Sequence, residues 1–310
     1  MMTDVGRRWA LLARIGFVSV FISVAITSGT TVPAIADDPP PEPPAPRHLT
    51  MAFAGDVIPL PAIINRAKRT TGGVGYDFRP MFADIKPLLS SVDLAVCHLE
   101  IPVAPPGTKP SGSPRWSTPP AIADALVDAG YDRCSTASNH TLDKGLPGID
   151  ATLDALDAVG LGHSGSARTP QEAVSPVFEV NGVRIVHLAY TFGFNGFRLP
   201  KDQPWRANLL DPVRIIADAT DARARGAEFV FVSLHWGLEG RSRTTKEQRE
   251  TARAITASGQ IDLVVGHHAH VLQPIEQVNG RWVMYGLGNS MSNHRPETRW
   301  PAASEDGAVV

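Results

Sequence analysis

Short apolar runs recur along the chain, each ended by glycine or by a cluster of polar residues. They alternate with stretches whose apolar positions repeat every three or four residues. Leu49 to Ala54, Val92 to Cys97, Tyr131 to Ala137, Phe229 to Leu234, Ile261 to Val265 and Trp282 to Tyr285 have the length and content of strands. Between them, Pro80 to Ser90 predicts a helix with Phe82, Ile85 and Leu88 or Leu89 turned inward. Thr118 to Gly130 predicts another, with Thr118 as cap, prolines in the first turn and Gly130 at its end. Ile149, Leu153 and Leu156 give a further helix its apolar stripe. Asp211 to Gly226 follows, and Thr245 to Gly259 sets Gln248, Ala252 and Ile255 on one face. Strand, polar loop, helix is the rhythm of a layered α/β domain. Asn181-Gly182 and Asn279-Gly280 each separate two strand-like runs and mark hairpins, so the sheet is expected to be mixed.

The first 47 residues break this rhythm. Arg7, Arg8 and Arg14 precede an apolar core from Ile15 to Ile26, and Ala34-Ile35-Ala36 has the form of a cleavage site. Residues 1–36 therefore read as an export signal, placing the protein in the periplasm, the cell wall or the extracellular space. The alternative is a membrane anchor formed by residues 15–28. Residues 37–47 (DDPPPEPPAPR) cannot pack a core and read as an extended spacer, so the folded domain is expected over residues 48–310. Hydrophobic content of 43% and charged content of 19% suit a globular domain with an ample core. A net charge of −2 gives no electrostatic case for nucleic acid.

The strand ends carry the chemistry. Asp56 follows the first strand, Glu100 the second and Asn139-His140 the third. His235 follows the Phe229 run, and His268 and His270 follow the Ile261 run. Side-chain alternation puts His98 and Glu100 on one face. Five sets of polar residues in register with five strand ends point to a shared site, with the loops gathered along one sheet edge. Carboxylate, amide and imidazole together suit divalent Mn, Fe or Zn, and two such ions would bind an oxyanion and acidify a water between them. A ligand bridging two cations should be a carboxylate. The glycine-rich stretch 70–79 lacks the Lys-Ser/Thr of a phosphate loop and is assigned no nucleotide role.

GDV at 55–57, HLE at 98–100, SNHTLDKG at 138–145, HWGLE at 235–239, GHHAH at 266–270 and YGLGN at 285–289 together resemble the CapA family. That family is linked to poly-γ-glutamate capsule synthesis. The resemblance implies a layered mixed β-sheet sandwich flanked by helices, with calcineurin-like metallophosphatase architecture. It implies metal ligands at Asp56, Glu100 (as the bridge), Asn139, His235, His268 and His270, and a leaving-group role for His140. His98, Asp143, Glu239 and Asn289 would support the ligands or face substrate. It further implies an anionic polymer such as poly-γ-glutamate and membrane-bound capsule-synthesis partners. The chain departs from the family in having His98 where Asn is usual, which reads as an extra ligand or, preferably, as a substitute hydrogen bonder. Like the family, it lacks Asp-x-His, since Val57 and Ile58 follow Asp56, so one metal position is poorer in ligands. Family members continue beyond the Asp306–Val310 stretch, so an uncovered sheet edge is expected there. Two functions remain open: a metal-dependent hydrolase or transferase, and a polymer-binding assembly protein on a relic fold.

The remaining singular residues are given modest roles. Cys97 and Cys134 lie on neighbouring strands, and buried free thiols are expected because adjacent parallel strands seldom meet disulfide geometry. His267 reads as a loop residue beside the ligands, and Trp116, Trp205 and Trp282 as packing. His48, His163, His187 and His294 are assigned nothing. Arg241 and Arg243 are read either as a grip on an anion or as solvated surface.

Overall fold

The computed structural model describes residues 47–294, 296–298 and 300–310; the stretch read as an export signal and most of the expected spacer lie outside the described residues. In chain order the elements are β1 (Met51–Val57), α1 (Pro61–Thr70), α2 (Lys86–Leu89), β2 (Leu94–Leu99), α3 (Ala121–Ala129), β3 (Arg133–Ser135), α4 (Gly145–Ala158) and β4 (Gly162–Ser164). Then come β5 (Phe178–Val180), β6 (Val183–Thr191), α5 (Pro212–Ala224), β7 (Phe229–His235), α6 (Lys246–Ala257), β8 (Leu263–His267), β9 (Ile275–Val278), β10 (Arg281–Met284) and β11 (Asn289–Met291).

Two sheets form. One runs β11-β1-β2-β3-β4, and all its pairings are parallel. The other runs β5-β6-β7-β8-β10-β9, parallel in its middle and antiparallel at both edges. Those edges are the two Asn-Gly hairpins, whose residues take left-handed φ values (Asn181 49°, Gly182 75°, Asn279 52°, Gly280 74°) as such turns require. Between the sheets lies a core drawn from both, including Phe53, Val96, Ile185, Phe231, Val265 and Met284. Phe53 and Phe231 meet edge to face at 5.3 Å across it. Helices α1, α3 and α4 cover the outer face of the first sheet, and α5 and α6 that of the second. The fold is thus a mixed β-sheet sandwich flanked by helices, as the sequence predicts.

Several elements differ in detail. The single helix expected over Pro80–Ser90 splits into a 3-10 turn at Arg79–Met81 and the short α2, because Pro87 has no N–H for the Ala83 carbonyl. Helix α3 begins at Ala121 rather than at a Thr118 cap; Thr118 instead bridges to Val103. Helix α1 and strand β11 carry no clear sequence signal and are additions. Cys97 and Cys134 form a disulfide, correcting the free-thiol expectation: they lie directly opposite in the β2–β3 register, with Cα atoms 4.4 Å apart. The edge expected to lie bare is partly paired. Phe53 and Val310 exchange backbone hydrogen bonds of 2.9 and 3.0 Å, so the last residues run along β1.

Candidate metal centre

The chemistry-bearing loops gather at the C-terminal ends of strands from both sheets, not along one sheet edge as the sequence suggests. Sheet one supplies Asp56, Glu100, Asn139 and His140; sheet two supplies His235, His268 and His270. Glycine lets neighbouring chain segments pack closely at these strand ends. A Cβ at Gly55 would stand 2.4 Å from the Gly288 carbonyl oxygen, and one at Gly266 would stand 2.0 Å from that of Tyr285. Past β8 the chain turns sharply: His268 (φ 85°) and His270 (φ 54°) are both left-handed, at a cost of about 1–3 kcal/mol each. Asp56 holds that turn in place. Its Oδ2 accepts the His268 backbone N–H at 2.9 Å and lies 3.2 Å from His270 Nδ1, while Oδ1 lies 3.1 Å from His267 Nδ1.

Glu100 sits at the middle of the constellation. Its Oε1 lies 3.5 Å from His270 Nε2, 3.9 Å from His235 Nε2 and 4.0 Å from His140 Nε2. Both its oxygens are buried without a hydrogen-bond partner. Candidate ligand atoms fall into overlapping trios mutually within 4.8 Å: Glu100 with His235 and His268, Asp56 with Glu100 and His270, and Glu239 with His268 and His270. Glu100 belongs to the first two trios, the arrangement expected of a carboxylate bridging two ions. Asn139 joins the first, its Oδ1 being 2.8 Å from His235 Nε2.

His98 is wholly engaged in positioning. Its Nδ1 is 2.7 Å from Ser135 Oγ, its Nε2 is 2.9 Å from His235 Nδ1, and its ring stacks on His267 at 4.1 Å. If His235 Nε2 faces a cation it carries no proton. Its Nδ1–H then donates to His98 Nε2, and His98 Nδ1–H to Ser135, so one relay orients the ring. Asn289 plays a like part on the other side: its Oδ1 is 2.9 Å from His270 Nδ1, and its amide donates to the carbonyls of His270 and Ser304.

The electrostatics describe a centre short of positive charge. Burial raises the Glu100 carboxyl to about 7. Burial also opposes a charged His270, yet the Glu100 and Asp56 carboxylates overcome it and push that ring up to about 10. A proton on His270 thereby supplies the countercharge that a cation would otherwise bring. Burial holds His268 down at about 3 and keeps His98 and His235 well below the usual histidine range. Neutral imidazoles beside unsatisfied carboxylate oxygens are a fitting donor set for divalent metal.

A cavity of about 610 Å³ opens over this centre, lined by Asn139, His140, Glu239 and His270 together with Ile58, Leu60, Trp116, Asn195, His294 and Trp300. His140 faces it with Nδ1 held 2.8 Å from Asp143 Oδ2, an oxygen that also accepts the Trp116 N–H at 2.8 Å. Burial works against protonation of this ring, but the bond to Asp143 and the charge on Glu100 outweigh it and raise its pKa.

Every sequence-derived site residue thus reaches the centre or its rim. Four others were missed or underrated. His267 is the last residue of β8 and bonds Asp56. Trp116 lines the cavity rather than only packing. His294 is buried 4.5 Å edge-to-face from His270 and stacks on Trp300. Asn195 accepts from Asn139 Nδ2 at 3.2 Å; its only sequence signal is the Asn-Gly turn it starts, which says nothing about Asn139.

Fold and site together define a layered α/β protein with a candidate metal centre where the strand ends of its two sheets meet. The chain belongs to the family described as bacterial capsule synthesis protein PGA_cap, which matches residues 50–294. It is 30% identical over 249 residues to the PGA biosynthesis protein CapA of Bacillus subtilis (strain 168), covering 78% of this chain and 62% of that one. It is 28% identical over 249 residues to the capsule biosynthesis protein CapA of Bacillus anthracis, covering 78% and 59%. The chain therefore spans about three fifths of the length of these curated relatives. Among solved structures, the sulfate thiohydrolase SoxB of Thermus thermophilus, in complex with glycerol, is similar with a TM-score of 0.43 and 16% identity. That match covers 72% of this chain and 40% of that one.

Proposed function

We propose that this protein serves poly-γ-glutamate capsule biosynthesis or export through a two-ion, hydrolase-like site acting on an anionic extracellular substrate. One observation carries the metal-site part: both Glu100 oxygens are buried and unbonded where two ligand trios overlap. Leaving a buried carboxylate in that state costs several kcal/mol unless a cation satisfies it. Asp56, Glu100 and His270 would hold one ion, and Glu100, Asn139, His235 and His268 the other. Bound there, divalent Mn, Fe or Zn would acidify a water and stabilise charge on an oxyanion.

The chain's own groups complete the reading. Asp143 anchors His140 through Nδ1, which leaves Nε2 facing the cavity, and the raised pKa keeps a proton available for a departing group. Trp116 and the Ile58–Leu60 wall narrow the cavity and exclude bulk water from one side. The capsule and PGA context comes from the relatives' names, and poly-γ-glutamate and the membrane-bound partners from the family resemblance. Export rests on the pattern of residues 1–36; among the described residues no helix is long and apolar enough to cross a membrane.

Metal analysis of the purified protein, run beside hydrolysis assays on phosphoesters and γ-glutamyl polymers, tests the reading. About two divalent ions per chain and hydrolysis that chelation abolishes are expected. A metal-free protein that still supports polymer production in cells would replace the enzyme with a binding or assembly protein.

A further inference from the structure

The loop from His235 to Thr245 does more than leave the centre. Trp236 anchors its start, buried with Nε1–H donating to the Tyr285 carbonyl at 3.0 Å. Gly237 turns through φ 91°, where a Cβ would press on the Gln248 side chain at 2.7 Å. Gly240 N–H then donates to the carbonyl of Ala269 at 2.8 Å, and Ala269 is the residue between His268 and His270. The loop is thus tied at its start to the end of β10 and at Gly240 to the turn that carries two ligands. Its tip divides: Leu238 is 57% exposed, while Glu239 lines the cavity.

Glu239 brings a carboxylate oxygen within 4.8 Å of ligand nitrogens on both His268 and His270. His268 also belongs to the trio of Glu100 and His235, and His270 to that of Asp56 and Glu100, so Glu239 spans the two ion positions from the open side, as Glu100 does from the buried side. Among the described residues its carboxylate has no hydrogen bond or ion pair. His268 is only 5% exposed, and its Nδ1 is buried with no partner. An unpaired carboxylate beside two buried imidazoles, one of them unsatisfied, is a ligand arrangement.

We infer that Glu239 is an exchangeable ligand of the two-ion centre, occupying its open side until a carboxylate of the substrate displaces it. This rests on the two-ion reading proposed above. The other ligands are buried at the sheet ends, whereas Glu239 stands exposed on a loop with glycine on either side of it at 237 and 240, so its side chain can be displaced. Its group is also chemically apt, because a glutamate γ-carboxylate is the same kind of ligand as a carboxylate of a glutamyl polymer. The side chain therefore acts as an internal competitor for acidic substrates, and displacing it opens the centre.

The test compares the full-length protein with Glu239→Gln, which keeps the size and removes the charge, using Mn²⁺ alone and then glutarate on the Mn²⁺-loaded protein. Circular dichroism checks that the variant is folded, with Glu239→Asp as a second variant if it is not. Expected for Glu239→Gln is Mn²⁺ affinity weakened about tenfold at one or both positions and glutarate affinity raised several-fold. Weakened Mn²⁺ binding without any gain for glutarate would make Glu239 a fixed ligand and overturn the exchange. Superimposable isotherms for both probes would overturn any ligand role. Failure of the wild-type protein to bind Mn²⁺ at all would instead sink the two-ion reading beneath it, so the two failures are distinct.

Discussion

At the scale of single residues, Glu100, His140 and His98 divide the labour of the centre. Glu100 lies in two ligand trios with nothing else to satisfy its oxygens, so Glu100→Gln should lose bound metal. His140 touches the centre only at 4.0 Å and is tied to Asp143, so His140→Asn should keep its metal while turnover falls about 10²- to 10⁴-fold. Metal content and rate, measured on both variants, separate the roles; a metal-loaded His140→Asn protein with full polymer production in cells would defeat the enzyme reading. His98 acts through His235. Its removal in His98→Ala should weaken metal binding about 10- to 100-fold, and His98→Asn should recover part of that loss through a shorter hydrogen bonder. Equal metal affinity in all three proteins would leave His98 a packing residue.

At the scale of elements, the site depends on how closely the strand ends meet. Gly266 lies in β8 with the Tyr285 carbonyl where a side chain would stand, so Gly266→Ala must push the chain at the end of β10 away. A loss of about 1–3 kcal/mol in urea unfolding, with reduced metal uptake, is expected. Away from the site, Arg168 joins α4 to the loop after β4: it pairs with Asp154 at 2.6 Å and also with Asp157 and Glu172. Asp157, His163 and Glu172 have the spacing of a metal trio, but this guanidinium already fills the place of a cation. Burial works against the charged forms of Asp157 and Glu172, yet their bonds to Arg168 hold both carboxyls below their ordinary values of 3.8 and 4.5. Their folded values lie below their unfolded ones. The stability they bring is therefore complete above about pH 4.5 and lost as the pH falls through the folded values. Melting temperatures taken from pH 6 to pH 3 should fall less steeply for Arg168→Ala than for the wild type; parallel curves would remove the coupling.

At the scale of the whole molecule, the Cys97–Cys134 bond and the reading of residues 1–36 as an export signal make one joint prediction. Bonded cysteines persist outside the reducing cytosol. The bridge joins strands 37 residues apart in sequence, and closing such a loop is worth about 3–4 kcal/mol. Protein recovered from the producing cell should begin at Asp37, show no free thiol without reductant and lose thermal stability when reduced. An intact Met1 on a cytosolic protein with two reactive thiols would refute both halves of this prediction.

The sequence by itself determined the rhythm of the fold and most of the centre. Apolar runs ending in Gly-Asp, His-Leu-Glu, Asn-His, His-Trp-Gly and Gly-His-His-Ala-His are local signals, because a strand buried on both faces must be apolar and must deliver its polar residues at its end. The Asn-Gly hairpins were equally legible, since left-handed backbone is demanded by the turn itself. What only the tertiary structure decided is long-range. No local pattern tells that β1 and β2 belong to one sheet while β7 and β8 belong to another, so the centre looked like one edge and proved to be the meeting of two. The Cys97–Cys134 bond depends on the register of β2 against β3, the place of Asn195 on a turn far along the chain, and the reach of Glu239 on a backbone bond from Gly240 to Ala269. Sequence spacing sets which residues a strand end can offer; packing of sheet on sheet sets which of them meet.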